Sequence, residues 1–362
     1  MKSFCVLNQA LNETTGKVIG AAVCAAMGKK IGILYSGDKN AESSSAFLAS
    51  GVSEAGGTAV LFGCCNESRI AFLTVRYALS ACFFVSGEAY VSVYGADGKP
   101  VGAEKETLIS QLASSDLSCK EKGRSVCVNS DSAYFSSLVE YCGNLKDVSA
   151  DIKCRNPYLS SVLKQVLAVS GGNNSKKPCF YLSESGSCVS ACDECGNILP
   201  HDKLINICCA CNIMDNKPVT VSINSPRCLD KLAEDNSVSL TRSFVGGNEL
   251  WQNDGTFLIA RVLRFMAEKG EGLSTLAGLL PQSASLKKSF VSSLPPDAVA
   301  DLIGCNELVA DTMRGIYVRL ENGDVLITPC RNNDVYCMEI TASDSWTACE
   351  IAQELCLTIN SN

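Results

Sequence analysis

Apolar positions along the first hundred residues alternate between two rhythms. Short unbroken apolar runs at Lys30–Tyr35, 59–62 and 82–85 read as strands buried on both faces. Between them, 12–27, 43–55 and 67–79 carry apolar residues at three- and four-residue intervals, the mark of amphipathic helices. Asn12 stands where the first helix needs an N-cap, and Gly28 where it needs a stop. A β-α-β-α-β order predicts a mostly parallel sheet covered by helices on both faces. After a break at Ser86-Gly87, a strand at 90–94 runs into the turn Gly95-Ala96-Asp97-Gly98. A helix at 104–112 and a polar linker at 114–124 end this unit.

The rhythm repeats more briefly downstream. A strand at 125–128 precedes helices at 133–142 and 157–169, a Gly/Asn-rich loop at 171–175, and strands at 179–182 and 188–192. A third unit has a helix at 202–212, a strand at 219–223, a helix at 226–234, a strand at 237–241 and a long helix at 256–269. Leu258, Val262, Phe265 and Met266 form the apolar stripe of that last helix. Beyond a linker at 292–296 the pattern changes. Strands at 315–320 and 325–328 flank Glu321-Asn322-Gly323-Asp324, a hairpin signal, and a strand at 335–340 and a helix at 344–357 follow. The expected class is α/β: three related mixed units with mostly parallel sheets, then an antiparallel α+β domain. The corresponding domains are 1–122, 123–201, 202–291 and 292–362.

Composition narrows the function. At 362 residues the chain exceeds one ordinary core. Its 46% apolar and 19% charged residues exclude a disordered protein, and a net charge of −7 argues against nucleic acid or an anionic membrane as partner. No apolar run approaches the roughly 18 residues of a membrane span, and the polar N-terminus does not read as a signal peptide. A cytoplasmic protein is expected. Its 22 cysteines, set mostly among Ala, Val and Leu, read as small buried hydrophobes in a reducing compartment. One quartet stands apart: Cys192-x2-Cys195, twelve residues, then Cys208-x2-Cys211, close to the spacing of a structural zinc ribbon. The single histidine, His201, excludes multi-histidine metal sites and reads as a helix-start cap.

The order of these units, and several phrases within them, resemble the α-D-phosphohexomutases (phosphomannomutase, phosphoglucomutase and phosphoglucosamine mutase). Tyr94-Gly95-Ala96-Asp97-Gly98 is similar to a phrase that follows the family's phosphoserine loop. Asn156-Pro157 resembles a second-domain helix start. Asp193-Glu194-Cys195-Gly196 with Ile198-Leu199-Pro200 resembles a hairpin of that domain, and Asn253-Asp254-Gly255 the opening of a third-domain helix. The resemblance covers essentially the whole chain.

It also marks what is altered. A family member carries a phosphoserine donor, a magnesium ion on an Asp-Gly-Asp-Gly-Asp-Arg loop, a Gly-Glu-Glu-Ser-Gly sugar grip and an Arg-Pro-Ser-Gly-Thr phosphate loop. Here the donor loop shrinks to Ser86-Gly87-Glu88; aligned one way Glu88 takes the serine's place, and aligned the other Ser86 is the catalytic nucleophile. Ser183-Glu184-Ser185-Gly186-Ser187-Cys188 replaces the magnesium loop. Ser183, Ser185 and Ser187 occupy the carboxylate positions, so no metal or other cofactor is expected. The sugar grip is largely deleted across 244–249. Thr328-Pro329-Cys330-Arg331-Asn332-Asn333 stands at the phosphate loop, with Arg331 the candidate phosphate ligand. The resemblance implies a mutase-like protein of carbohydrate metabolism, impaired in catalysis. Its expected partner is a hexose phosphate, with an active paralogue or self-association as a regulatory partner. A working intramolecular phosphotransferase is the alternative, and a zinc-stabilised interaction protein a second.

Overall fold

The computed structural model describes residues 11–87, 90–115, 117, 119–281, 283–303, 308–311, 315–330 and 335–360. Helix α1 (Glu13–Met27) is capped by Asn12, whose Oδ1 accepts from Thr15 N at 2.8 Å, and ends at Gly28. Strands β1 (Lys30–Tyr35) and β2 (Thr58–Cys64) flank α2 (Lys39–Glu54). That helix starts earlier than its apolar rhythm indicates because Asp38 caps it, accepting from Asn40 N at 2.7 Å. A single 3₁₀ turn, Glu67–Arg69, leads into α3 (Ile70–Arg76). Ala78, at φ 47°, stops the helix short of the expected residue 79. Then come β3 (Ala81–Val85), β4 (Val91–Gly95), α4 (Ala103–Leu112) and β5 (Arg124–Cys127).

These five strands form one sheet in the order β4-β3-β1-β2-β5. All neighbours are parallel except the β3–β4 hairpin. The sheet therefore runs past residue 122, where the sequence pattern sets its first boundary. Glycine lets α1 and α2 touch: a methyl group on Gly20 would fall 2.2 Å from the Leu48 carbonyl oxygen, and one on Gly51 2.0 Å from that of Lys17.

A second sheet follows from α5 (Asp131–Cys142), β6 (Ser149–Cys154), α6 (Pro157–Val169), β7 (Asn173–Leu182), β8 (Val189–Cys192) and β9 (Ile198–Leu199). Its order is β6-β7-β8-β9, with β6 and β7 parallel and the remaining pairs antiparallel. Strand β6 is absent from the sequence reading, and β7 begins inside the stretch read as a loop. Only Ala150 and Ile152 of β6 are buried, among Ser149, Asp151 and Lys153, too short an alternation to stand out. Asn156 starts α6 as expected, accepting from Tyr158 N at 3.0 Å and Leu159 N at 3.2 Å.

Helix α7 (His201–Met214) precedes β10 (Val219–Ser222), α8 (Cys228–Asp235) and β11 (Leu240–Ser243), with β10 and β11 a parallel pair. The short α9 (Leu250–Asn253), long α10 (Gly255–Lys269) and short α11 (Leu273–Ala277) come next. The C-terminal region comprises β12 (Ala284–Val291), α12 (Pro296–Ile303), β13 (Leu308–Asp311), β14 (Gly315–Arg319), β15 (Gly323–Pro329), β16 (Val335–Ala342) and α13 (Ser345–Asn360). The antiparallel sheet order is β12-β16-β15-β14-β13. Strand β12, also unread from sequence, is an edge with only Phe290 buried; pairing with β16, not its own pattern, makes it a strand.

The chain divides into two compact units. Unit 1 is Met1–Ile205 with Asn248–Ser274, and unit 2 is Asn206–Gly247 with Thr275–Asn362. Unit 1 holds the first two sheets, with α10 packed on α5. In unit 2, Val318, Val325, Ile327, Met338 and Ile340 pack against Ala348, Ile351 and Leu355 of α13. Arg227, just before α8, ties that helix to the start of β15, donating to Asp324 Oδ1 from Nε at 2.9 Å and from Nη2 at 2.7 Å. Among the described residues no helix is long and apolar enough to cross a membrane.

Candidate functional site

In unit 1, at the carboxyl ends of the parallel strands, the loop after β1 meets the loop after β3, and the loop after β2 meets the loop after β7. In open α/β sheets this is where ligands bind. Ser86 follows β3 and is half-buried. Val85 pairs with Val91, so only residues 86–90 join β3 to β4. The Ser86 amide donates to the Tyr90 carbonyl at 2.9 Å, and its hydroxyl to the same oxygen at 3.4 Å. Asp38 lies beside this turn, its Cβ 3.1 Å from where a methyl on Gly87 would be. Glu88, the other candidate for the serine's place, lies outside the described residues.

The loop Ser183–Cys188 follows β7. Its three hydroxyls are linked in a chain, Ser183 Oγ to Ser185 Oγ at 3.1 Å and Ser185 Oγ to Ser187 Oγ at 2.8 Å. Ser183 Oγ also accepts from Cys188 N at 3.0 Å. Gly186 makes the turn at φ 80°, and its amide donates to the Ser183 carbonyl at 3.0 Å. The loop thus gathers the three side chains at the positions assigned to magnesium ligands. As donors they do not fit the ion: three neutral hydroxyls bring none of the negative charge that a hard dication needs to shed its water. Glu184, the loop's one carboxylate, stands between them in sequence.

The stretch 66–68, which sequence reasoning passed over, and Gly255 of the Asn253-Asp254-Gly255 phrase hold this loop. Asn66 Nδ2 donates to the Glu184 carbonyl at 3.2 Å, Ser68 packs on Gly186, and Gly255 N donates to the Gly186 carbonyl at 2.9 Å. Beneath lies a polar hub. Arg69 is buried, donates to Asp131 Oδ1 at 2.6 Å and to Tyr158 Oη, and lies 4.4 Å from the Tyr134 ring centroid. Partial desolvation pushes the Asp131 carboxyl up, but hydrogen bonds from Arg69 and Tyr158 outweigh it and hold the group below its ordinary range. Tyr134 Oη donates to Asp254 Oδ2 at 2.7 Å, while Thr256 N and Thr256 Oγ1 donate to Asp254 Oδ1 at 2.8 and 2.6 Å. Burial pushes the Asp254 carboxyl up to about 6 against these bonds. Local sequence does not assemble the hub, because Arg69, Asp131, Tyr158 and Asp254 meet only in the fold. An Asp before a helix start was the one visible signal.

The remaining expected residues divide. Glu249 precedes α9, with Trp251 buried one step further on. Arg331 lies outside the described residues. The flanks of its loop are joined by Cys330 N donating to the Val335 carbonyl at 2.7 Å. The zinc reading is not supported: among the described residues no group of three or more His, Cys, Asp or Glu is placed to hold a metal. Cys208 and Cys211 are fully buried apolar-face residues of α7, while Cys195 is exposed in a turn. The His201 ring accepts from Val189 N at its Nδ1 at 3.2 Å.

No family model and no curated protein matches the sequence. Solved structures do. A phosphoglucomutase/phosphomannomutase family protein from Burkholderia thailandensis superposes with a TM-score of 0.77 at 13% identity, over 99% of this chain and 96% of that one. The fold is that of the α-D-phosphohexomutases. A putative phosphomannomutase from Thermus thermophilus gives a TM-score of 0.68 at 14% identity, over 98% and 99%. N-acetylphosphoglucosamine mutase from Aspergillus fumigatus, in complex with GlcNAc-6P and magnesium, gives 0.56 at 10% identity, over 99% and 96%. The phosphohexomutase fold thus spans the whole chain, at identities where the scaffold persists while most side chains have changed.

Proposed function

We propose that this chain is a phosphohexomutase-fold protein of carbohydrate metabolism that has lost phosphoryl transfer and works by binding. The observation that carries the reading is the hydroxyl chain Ser183-Ser185-Ser187, neutral where a metal-dependent phosphotransferase needs carboxylates. The five-residue turn at Ser86 supports it, since the hydroxyl is directed at a carbonyl of its own hairpin and not at a base. The ligand class we propose is a hexose phosphate, on the strength of neighbours solved with GlcNAc-6P and with glucose 1,6-bisphosphate, with Arg331 as its phosphate ligand. Regulation through an active paralogue or a second copy is the role this leaves for a silent scaffold. Twenty described cysteines are free thiols, which supports a reducing, cytoplasmic setting.

The test is mutase turnover. With glucose 1-phosphate or mannose 1-phosphate, magnesium and the bisphosphate activator, no product should form above background. Losing one preorganised electrostatic element costs about 10²–10³ in rate, and elements acting as a unit cost more. Mutase activity that vanishes in Ser86→Ala would overturn the reading and establish Ser86 as the nucleophile.

A further inference from the structure

The parallel pair β6 and β7 ends at Cys154 and Leu182, beside the first turns of α6. A cleft of about 710 Å³ opens there, lined by Lys153, Arg155, Ser160, Lys164, Tyr181 and Glu184 among others. The position is the one where ligands of open α/β sheets settle, outside the carboxyl ends of parallel strands. Its walls carry a charge balance opposite to that of the chain as a whole. In a chain of net charge −7, three cations here outnumber the two carboxylates, Asp151 and Glu184. Lys153 and Asp151 already face each other at 3.7 Å. Arg155 and Lys164 have no ion-pair or hydrogen-bond partner among the described residues. Ser160 and Lys164 lie one helical turn apart, so a hydroxyl and an ammonium share the α6 face that borders the cleft. Tyr181 leaves 44% of its surface open, with Lys153 Nζ 5.4 Å from its ring centroid.

We propose that this cleft binds a small phosphate monoester. Arg155 and Lys164 take the phosphate oxygens, Ser160 donates its hydroxyl, and the Tyr181 ring carries the organic group. A guanidinium matches phosphate oxygens in bidentate fashion, and an ammonium adds a second point charge. A dianion answers two free cations in the presence of Glu184, which a single carboxylate does not. The site uses neither Ser86 nor Arg331, although it borders the Ser183–Cys188 loop.

Calorimetric titration of the full chain with inorganic phosphate, glucose 6-phosphate, adenosine 5′-monophosphate and glucose tests it. Phosphate and both esters should saturate a site, more weakly as salt rises, and glucose should not. The tighter of the two esters identifies the organic group. Arg155→Ala with Lys164→Ala should weaken binding by about tenfold or more, the loss of at least one charge-assisted hydrogen bond. Tyr181→Ala should weaken the esters and leave inorganic phosphate unchanged. Every titration is run on the Arg331→Ala chain as well, which removes the hexose-phosphate site proposed above from the readout. Arg155, Lys164 and Tyr181 are exposed, and an unchanged melting temperature shows that each variant is folded. In the Arg331→Ala background, saturation that survives the double substitution, or none by about 10 mM, would overturn the proposal.

Discussion

Asp254→Asn isolates one electrostatic term. Asp254 is 1% exposed, caps α10, and accepts hydrogen bonds from Tyr134 and Thr256. Burial raises its carboxyl from 3.8 in the open chain to about 6 in the fold. Between those values the native state holds a proton that the unfolded chain has released. Stability is therefore fully present below pH 4 and falls as pH rises through 4–6. At about 1.4 kcal/mol per pH unit, the loss is about 3 kcal/mol by pH 7, a large share of a typical domain's 5–15 kcal/mol. Asparagine keeps the shape and the cap without the charge. The variant should match the parent near pH 4 and exceed its stability by up to about 3 kcal/mol at pH 7.5. Trp251, 2% exposed, reports unit 1 by fluorescence once the other tryptophan, the exposed Trp346, is changed to Phe in both proteins. Urea melts at four pH values then give the difference curve. Parallel profiles would mean that Asp254 titrates normally, and a variant losing ground as pH rises would mean that the carboxylate itself stabilises the hub.

Other outcomes follow from the same geometry. Calorimetry should find no saturable magnesium site tighter than about 100 µM in the native chain, whereas Ser183→Asp, Ser185→Asp and Ser187→Asp together should create measurable affinity; no gain would show that the loop does not converge as described. Gly186→Ala should destabilise unit 1 by about 1–3 kcal/mol in urea melts, because φ is 80° and the new methyl would lie 2.5 Å from Ser68 Oγ; a change under about 0.5 kcal/mol would refute that strain. A thiol reagent should react quickly with exposed cysteines such as Cys64, Cys127, Cys188 and Cys349, and with all 22 after denaturation. Burial pushes the Cys142 thiol up to about 12, so rapid native modification of Cys142, read by mass spectrometry, would contradict its placement.

Local sequence determined most of the scaffold. β1 and α6 fall where the apolar runs and the Asn156-Pro157 cap place them, because an unbroken buried strand and a capped amphipathic helix each write their signal into a few consecutive residues. The succession of units, and the phrases they carry, were enough to indicate the phosphohexomutase architecture that the solved neighbours share. The substitution of Ser183, Ser185 and Ser187 for carboxylates was equally legible, since charge is a property of residue type. Strands β6 and β12 were not, because each is defined by a partner's hydrogen bonds more than by its own alternation. Nor was the polar hub: Arg69 and Asp131 meet across 62 residues, and Tyr134 and Asp254 across 120. Only the tertiary structure decided that Asp254 is buried, that the three serines bond to one another, and that Arg155 and Lys164 border one cleft. Proton affinity and contact depend on what surrounds a side chain, and those surroundings are assembled from residues far apart in the chain.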